Sequence, residues 1–306
     1  MKSILLIGKN GQLGWELQSA LLPLGRVVAL DRAQLDLTRP DAIRKTIRDL
    51  SPDIIVNAAG YTTVDKAEDE PDLAMRVNAT APGILAEEAK RIDALLVHYS
   101  TDYVFDGTHS APYVEEDEPN PVNIYGKSKL AGERAISAAG CKHLILRASW
   151  IYSARGTNFV LTMLRLARQR TEIAVVNDQI GSPSSAHELA KSTAELLGQF
   201  KGAGEQTGLF HLSASGYASR FAFAKEIVET AKRHSSEQSG WATVCATTTE
   251  NYPLRAARPL NATTSKEKIK RVFGIEMPAW EDQLHATLKN LIAANNGRHQ
   301  SSTSNL

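Results

Sequence analysis

Ile4-Leu5-Leu6-Ile7-Gly8-Lys9-Asn10-Gly11-Gln12-Leu13-Gly14 is the stretch on which the fold turns: four apolar residues run straight into three glycines spaced GxxGxxG. A short β-branched run followed at once by such a turn reads as a strand passing into a helix. In that setting Gly8 permits the tight turn, Gly11 lets backbone N–H groups approach a pyrophosphate, and Gly14 allows helix and strand to pack closely. The helix N-terminus adds partial positive charge at the same place. The same glycines would also suit a strand-to-helix turn with no ligand, but their position at the carboxyl end of the first strand favours the phosphate-binding reading.

Outward from this turn, the first half of the chain alternates short apolar runs with longer helical patterns, the rhythm of βαβ units. The runs are Ile4 to Ile7, Arg26 to Leu30, Asp53 to Val56, Ala94 to Tyr99 and His143 to Leu146. Each is continuous rather than alternating, as expected of strands covered on both faces. Helix starts are legible at Pro40-Asp41, at Pro71-Asp72 and from Asn123. These features predict an α/β fold, a Rossmann-type doubly wound parallel sheet with right-handed crossovers. Residues 1–150 are expected to form an NAD(P)-binding domain, to which some later segments return, and 151–295 mainly a smaller α/β substrate-binding lobe. Within that lobe the patterns suggest helices at Asn158–Arg168, Ala186–Leu197, Phe221–Lys232, Lys266–Phe273 and Ala279–Ala293, and strands at Ile173–Val176 and Leu209–Leu212. Ser235 to Pro259 reads as irregular structure, and the polar residues 296–306 as a flexible tail.

Composition narrows the function classes. The chain has 306 residues, enough for one large or two modest domains at ~150 residues each. Thirty-five Lys and Arg balance 34 Asp and Glu, so the net charge is +1 and no whole-molecule field favours nucleic acid or an anionic membrane. An anionic ligand must therefore be held by a local site. Cys141 and Cys245 form no disulfide framework and fit a reducing, cytoplasmic setting. The first apolar run meets Gly8 after four residues, too few for a signal-peptide core or a membrane span.

Cofactor chemistry extends beyond the glycines. Asp31 lies seventeen residues past Gly14, at the end of the second strand, where a carboxylate would accept from an adenosine 2′-OH and favour NAD. Arg32 beside it would stack on the adenine or pair with a 2′-phosphate and favour NADP, so NADPH and NADH both remain open. Asp36-Leu37 would meet the adenine or merely begin a turn, and small residues in Asn57-Ala58-Ala59-Gly60-Tyr61-Thr62 would let backbone approach the middle of a dinucleotide or simply pack closely. Ser100-Thr101-Asp102 follows the fourth strand, and Tyr125 precedes Lys129 by one helical turn. On one helix face the ammonium, joined by an oxidised nicotinamide, would lower the phenol from its usual ~10 and make it a proton donor near neutral pH. Lys129 would also reach the nicotinamide ribose, and Thr101 would hydrogen-bond the same substrate oxygen as Tyr125. A solvated helix face would show the same Tyr-x-x-x-Lys spacing; its coincidence with the glycine turn and the strand-end hydroxyl favours chemistry.

These motifs resemble the extended short-chain dehydrogenase/reductase superfamily. The blocks Gly8–Leu17, Val64–Glu68, His98–Phe105, Tyr125–Glu133, Arg147–Trp150 and Asn177–Gln179 are similar, within it, to the dTDP-4-dehydrorhamnose reductase family across nearly the whole chain. The resemblance implies an enzyme that passes hydride from NADPH or NADH to C4 of a dTDP-linked keto-sugar, the last step of dTDP-L-rhamnose synthesis. It implies Tyr125 as proton donor, Lys129 as its partner and ribose anchor, and Thr101 as the hydroxyl orienting the carbonyl. It also implies Thr101, Asp102 and Trp150 as sugar contacts, and Gly8, Gly11, Gln12, Leu13, Gly14, Asp31, Asp36, Leu37, Gly60, Tyr61, Thr62, Tyr99, Tyr125 and Lys129 around the cofactor. Trp150 would otherwise be a core aromatic, and Arg258 would meet a diphosphate or form a surface salt bridge. Some members hold Mg²⁺ between two subunits through glutamates. Here only Glu16 matches, with His187 and Asn290 in the other places and Glu188 one residue off, a poor set for a hard cation. No metal is expected in the chemistry; the expected partners are a small nucleotide-sugar substrate, no nucleic acid and no membrane, with the protein a monomer or homodimer. A nucleotide-sugar 4,6-dehydratase or 4-epimerase on the same scaffold, or a non-catalytic regulatory subunit, are the alternatives. Tyr103 stands where dehydrating relatives carry Glu, and the intact Thr101, Tyr125 and Lys129 weigh against a non-catalytic role.

Overall fold

The computed structural model describes residues 1–202, 204–235 and 239–303, with side chains described to residue 292. Five strands, β1 (Lys2–Ile7), β2 (Gly25–Leu30), β3 (Ile54–Asn57), β4 (Leu95–Thr101) and β5 (His143–Ala148), occupy the five apolar runs. With a sixth strand, Gly208–His211, they form one sheet in the spatial order sixth-β5-β4-β3-β1-β2. Every neighbour pair is parallel.

The continuous apolar runs have a direct cause. Ile4 and Leu6 of β1 enter one buried layer while Leu5 and Ile7 enter the other. The first layer is closed by helix α1 (Gln12–Ala20) through Leu13 and Leu17, and by Leu189, Leu196 and Phe273 from later in the chain. The second is closed by Ile43 and Ile47 of helix α2 (Pro40–Leu50), by Ile84 and Leu85, and by Ile136. Each such side chain, fully buried, contributes ~1.5–3 kcal/mol of apolar transfer free energy. A third cluster of Tyr152, Val160, Met163, Phe223, Ile227, Trp280 and Leu284 lies in the second half of the chain.

The helices of that second half run Phe159–Gln169, Ala186–Gln199, Arg220–Arg233, Glu267–Phe273 and Trp280–Thr303. Asn158 caps the first of them, its side-chain oxygen accepting from the Leu161 amide at 3.1 Å. The segment read as irregular contains a strand, Thr243–Thr247, parallel to Glu172–Val176. Its β-branched residues suit that pairing, but the partner lies some seventy residues earlier, beyond any local pattern. The stretch expected as a flexible tail from residue 296 instead continues the last helix in its backbone as far as Thr303, and residues 304–306 lie outside the described residues. Among the described residues no helix is long and apolar enough to cross a membrane, and both cysteines are free thiols.

Candidate active site

A cavity of about 860 Å³ follows the carboxyl edge of the sheet. Strand order fixes the sequence of its walls: Asp31 and Arg32 past β2, Gly8 past β1, Ala58 to Gly60 past β3, Thr101 and Asp102 at β4, and Trp150 past β5. Of the residues singled out from sequence, Gly8, Gly11, Gln12, Leu13, Asp31, Asp36, Leu37, Gly60, Tyr61, Thr62, Tyr99, Thr101, Asp102, Tyr125, Lys129 and Trp150 all line it. Gly14 does not; it sits beneath the turn, where a Cβ would lie 2.0 Å from the Gly8 carbonyl oxygen.

The residues at the turn fit a dinucleotide phosphate. The turn is tied to β2, the Gly8 and Lys9 amides donating to Leu30 O at 2.8 and 3.1 Å, and among the described residues no side chain caps the first turn of α1. Gln12 and Leu13 of that uncapped turn face the cavity, so its amides are available to an anion. Asp31 Oδ1 accepts from the Ala33 and Gln34 amides, both at 3.1 Å, and Oδ2 from Asn10 Nδ2 at 3.2 Å, with Lys9 Nζ 3.5 Å away. Asp36 Oδ1 accepts from Thr38 N and Oγ1, both at 2.9 Å, and so builds its own turn while forming cavity wall. The Gly60–Thr62 bend is pinned by Asn78, which accepts from Tyr61 N at 2.8 Å and donates to Tyr61 O at 2.9 Å.

At the other end, the helix Ile124–Ala139 brings in Tyr125 and Lys129. Asn123 starts it, accepting from Gly126 N at 2.7 Å, and Gly126 lets it seat against β4's exit, since a Cβ there would meet Tyr103 O at 2.1 Å. Thr101 Oγ1 donates to Asp102 Oδ1 at 3.1 Å and accepts from Tyr103 N at 3.2 Å, while Ser149 Oγ donates to Asp102 Oδ2 at 2.7 Å. Tyr103 and Tyr125 pack edge to face, centroids 5.9 Å apart. Ser100 Oγ, buried in the same wall, has no hydrogen-bond partner among the described residues.

The chain matches the RmlD substrate binding domain family over residues 1–293. It is 42% identical over 293 residues to a dTDP-4-dehydrorhamnose reductase of Escherichia coli K12, covering 94% of this chain and 98% of the relative. A reductase of the same name from Salmonella typhimurium is 44% identical over 283 residues, 91% of this chain and 94% of that one. The chain belongs to the dTDP-4-dehydrorhamnose reductase family. A crystal structure of the Bacillus anthracis family member in complex with NADP superposes with a TM-score of 0.87 at 36% identity, covering 94% of this chain and 99% of that one.

Electrostatics in this family member depart from the sequence expectation at the Tyr–Lys pair. Burial pushes the Tyr125 phenol well above its ordinary range; the Thr101 hydroxyl pulls it down, and the negative charge of Asp102 adds to the rise. Lys129 does not offset this, because its ammonium is turned to the Tyr99 carbonyl at 2.5 Å and to His98 Nε2 at 3.2 Å. Burial draws Lys129 itself down to about 8, against the neighbouring Glu133. Asp102 is raised by burial to about 6, with the hydroxyls of Ser149 and Thr101 and the charge of Arg220 opposing. At this pair desolvation thus outweighs the cation.

Other candidates are brought together differently. Arg258 forms the salt bridge, meeting Asp65 Oδ2 at 2.8 Å, and is not part of the cavity wall. Glu16 and His187 are neighbours, Oε2 to Nδ1 at 3.2 Å, but among the described residues no three His, Cys, Asp or Glu side chains form a metal-binding group. Glu188 instead lies 4.0 Å from Lys191, and Asn290 is exposed. Sequence reasoning passed over Arg220, Asn158 and His98. Asn158 carries a recognisable N-cap signal; Arg220 and His98 belong to no spacing that predicts a role.

Proposed function

We propose that this chain reduces the C4 keto group of dTDP-4-dehydro-L-rhamnose to the hydroxyl of dTDP-L-rhamnose, with NADPH or NADH as reductant. One observation carries the reading: Thr101, Tyr125 and Lys129 converge in a cavity that also holds the uncapped start of α1, in a chain 42% identical to a reductase of that name. Residues 1–150 with their returning segments hold the dinucleotide, and 151–295 mainly the sugar nucleotide. The reading takes the enzyme as cytoplasmic and as a monomer or homodimer.

A bound dihydronicotinamide supplies the hydride. Tyr125 supplies the proton to the C4 oxygen; its raised pKa keeps it fully protonated at neutral pH, so the acid is always loaded. Thr101 orients and polarises the carbonyl from the strand end, its own position set by the Tyr103 amide. Lys129, held by Tyr99 O and His98 one helical turn from Tyr125, has one N–H donor left for the nicotinamide ribose, and its charge rather than a hydrogen bond favours the phenolate that remains. Gly11, Gln12 and Leu13 bind pyrophosphate, and Asp31, Arg32, Asp36 and Leu37 surround the adenosine. Trp150, at φ 42°, is held in a strained left-handed conformation that costs about 1–3 kcal/mol and aims the indole along the cavity wall.

The test is NADPH consumption with dTDP-4-dehydro-L-rhamnose beside the corresponding GDP and UDP keto-sugars. Turnover that is fastest with the dTDP sugar is expected. Absence of turnover with all three overturns the reading, and a tightly retained NAD with isomerised sugar product would place the chain among the epimerases instead.

A further inference from the structure

Four cationic side chains form part of the cavity wall: Arg32, Lys66, Lys129 and Arg220. Lys66 is paired with Glu70 at 2.8 Å, Lys129 donates to Tyr99 O at 2.5 Å, and Arg32 stands past β2 beside Asp31 and Asp36. Arg32 too has no hydrogen-bond acceptor among the described residues, but of the four only Arg220 is stacked on aromatic rings. Its guanidinium lies over the Trp150 ring, 3.6 Å from the centroid, and 5.2 Å from that of Phe159. Its backbone amide donates to Gln179 O at 3.0 Å, which fixes the base of the side chain. Among the described residues, none of its guanidinium donors has a hydrogen-bond acceptor and no carboxylate lies within salt-bridge distance.

A guanidinium has five N–H donors in a planar fork. Stacked on an indole it loses water from one face, and donors left unmet there are costly unless a ligand supplies oxygens. A fork of this shape matches two phosphate oxygens. With a net charge of +1 no whole-molecule field holds a sugar nucleotide's negative charges, so a local group must meet them, and a guanidinium in the cavity wall is suited to do so. Placement agrees: Trp150 follows β5, next to β4 with Thr101 and at the opposite end of the cavity from Arg32. A hexose whose C4 lies at Thr101 and Tyr125 carries its diphosphate on C1, across the ring.

We infer that Arg220, pinned on Trp150, is the residue that binds the diphosphate of the sugar nucleotide. This rests on the nucleotide-sugar reading above. Calorimetric titration of the wild type, Arg220→Gln and Arg220→Lys with dTDP, dTMP and thymidine tests it. In Arg220→Gln, dTDP affinity falls ~10- to 100-fold, as for a lost charge-assisted hydrogen bond, while thymidine and NADPH affinities hold. Arg220→Lys, with the charge but not the fork, falls between. In turnover, KM for the keto-sugar rises far more than kcat changes. Unchanged dTDP affinity, an equal loss for thymidine, or a loss confined to NADPH each overturns the assignment. A change only in the pH profile, through Asp102, overturns it too. If the wild type binds dTDP and Arg220→Gln does not, the assignment stands even where the keto-sugar is not reduced, so its fate is separable from that of the reductase reading.

Discussion

Replacing Tyr125 by Phe removes one oxygen from the cavity and little else. The ring slot is retained: Tyr103 still packs on the ring edge to face at 5.9 Å, and the helix start still rests on Asn123. Thr101 keeps its bonds to Asp102 and the Tyr103 amide, so loss of the phenol costs at most the ~1 kcal/mol of one net hydrogen bond in stability. The chemical step loses its acid. A positioned proton donor is worth ~10²–10⁴ in rate, or about 3–5 kcal/mol of barrier at 1.36 kcal/mol per tenfold. The expected result is therefore a hydride-transfer rate down by that factor, with NADPH affinity and melting temperature nearly unchanged. Single-turnover stopped-flow following NADPH, beside a fluorescence titration of the cofactor, reads both quantities. A fully active Tyr125→Phe enzyme refutes the reasoning and requires another acid. A variant that loses cofactor affinity as steeply as rate would mean that the hydroxyl holds the dinucleotide rather than protonates the sugar.

Lys129→Ala should lower both the rate and NADPH affinity; an unchanged affinity in the same titration removes the ribose role. Because the Lys129 ammonium loses its charge as pH rises through about 8, kcat/KM should decline above that pH in the wild type, and the variant should lack that limb. Asp102 has its folded-state pKa raised from the ordinary 3.8 to about 6, so burying its carboxylate costs nothing at low pH, and the cost grows from about pH 4 until it is complete above about 6. Asp102→Asn should therefore gain on the wild type by ~3 kcal/mol across that window, read by urea denaturation at several pH values, and parallel stability curves would contradict it. Gly14→Ala forces a methyl to within 2.0 Å of Gly8 O; it should cost roughly 1–3 kcal/mol of stability and weaken NADPH binding, and an unaltered melting curve would show that the turn relaxes freely.

The main sheet was legible because burial on both faces leaves its mark within each strand: Ile4, Leu5, Leu6 and Ile7 are all apolar since two different layers claim them. The Thr243–Thr247 strand was not, because a polar-rich segment hides it and its partner, Glu172–Val176, lies far back in the chain. Leu209–Leu212 was recognisable as a strand, but nothing in it says that Gly208–His211 would pair with β5 in the principal sheet. In the site, the Tyr125–Lys129 spacing follows from the helical repeat, whereas the direction of Lys129's ammonium depends on Tyr99 and His98, which come from β4. Arg220 carries no motif at all.

Sequence alone determined the glycine turn after β1, the succession of buried strands and the helical spacing of the phenol and amine, because each is a relation between residues a few positions apart that backbone geometry enforces. Only the tertiary structure decided how far desolvation raises Tyr125, which carboxylates are already engaged by their own turns, and that Arg220 arrives over Trp150 with its donors unmet among the described residues. Those outcomes depend on distances between segments brought together by packing, and on the water that packing removes, neither of which is encoded in any short stretch of the chain.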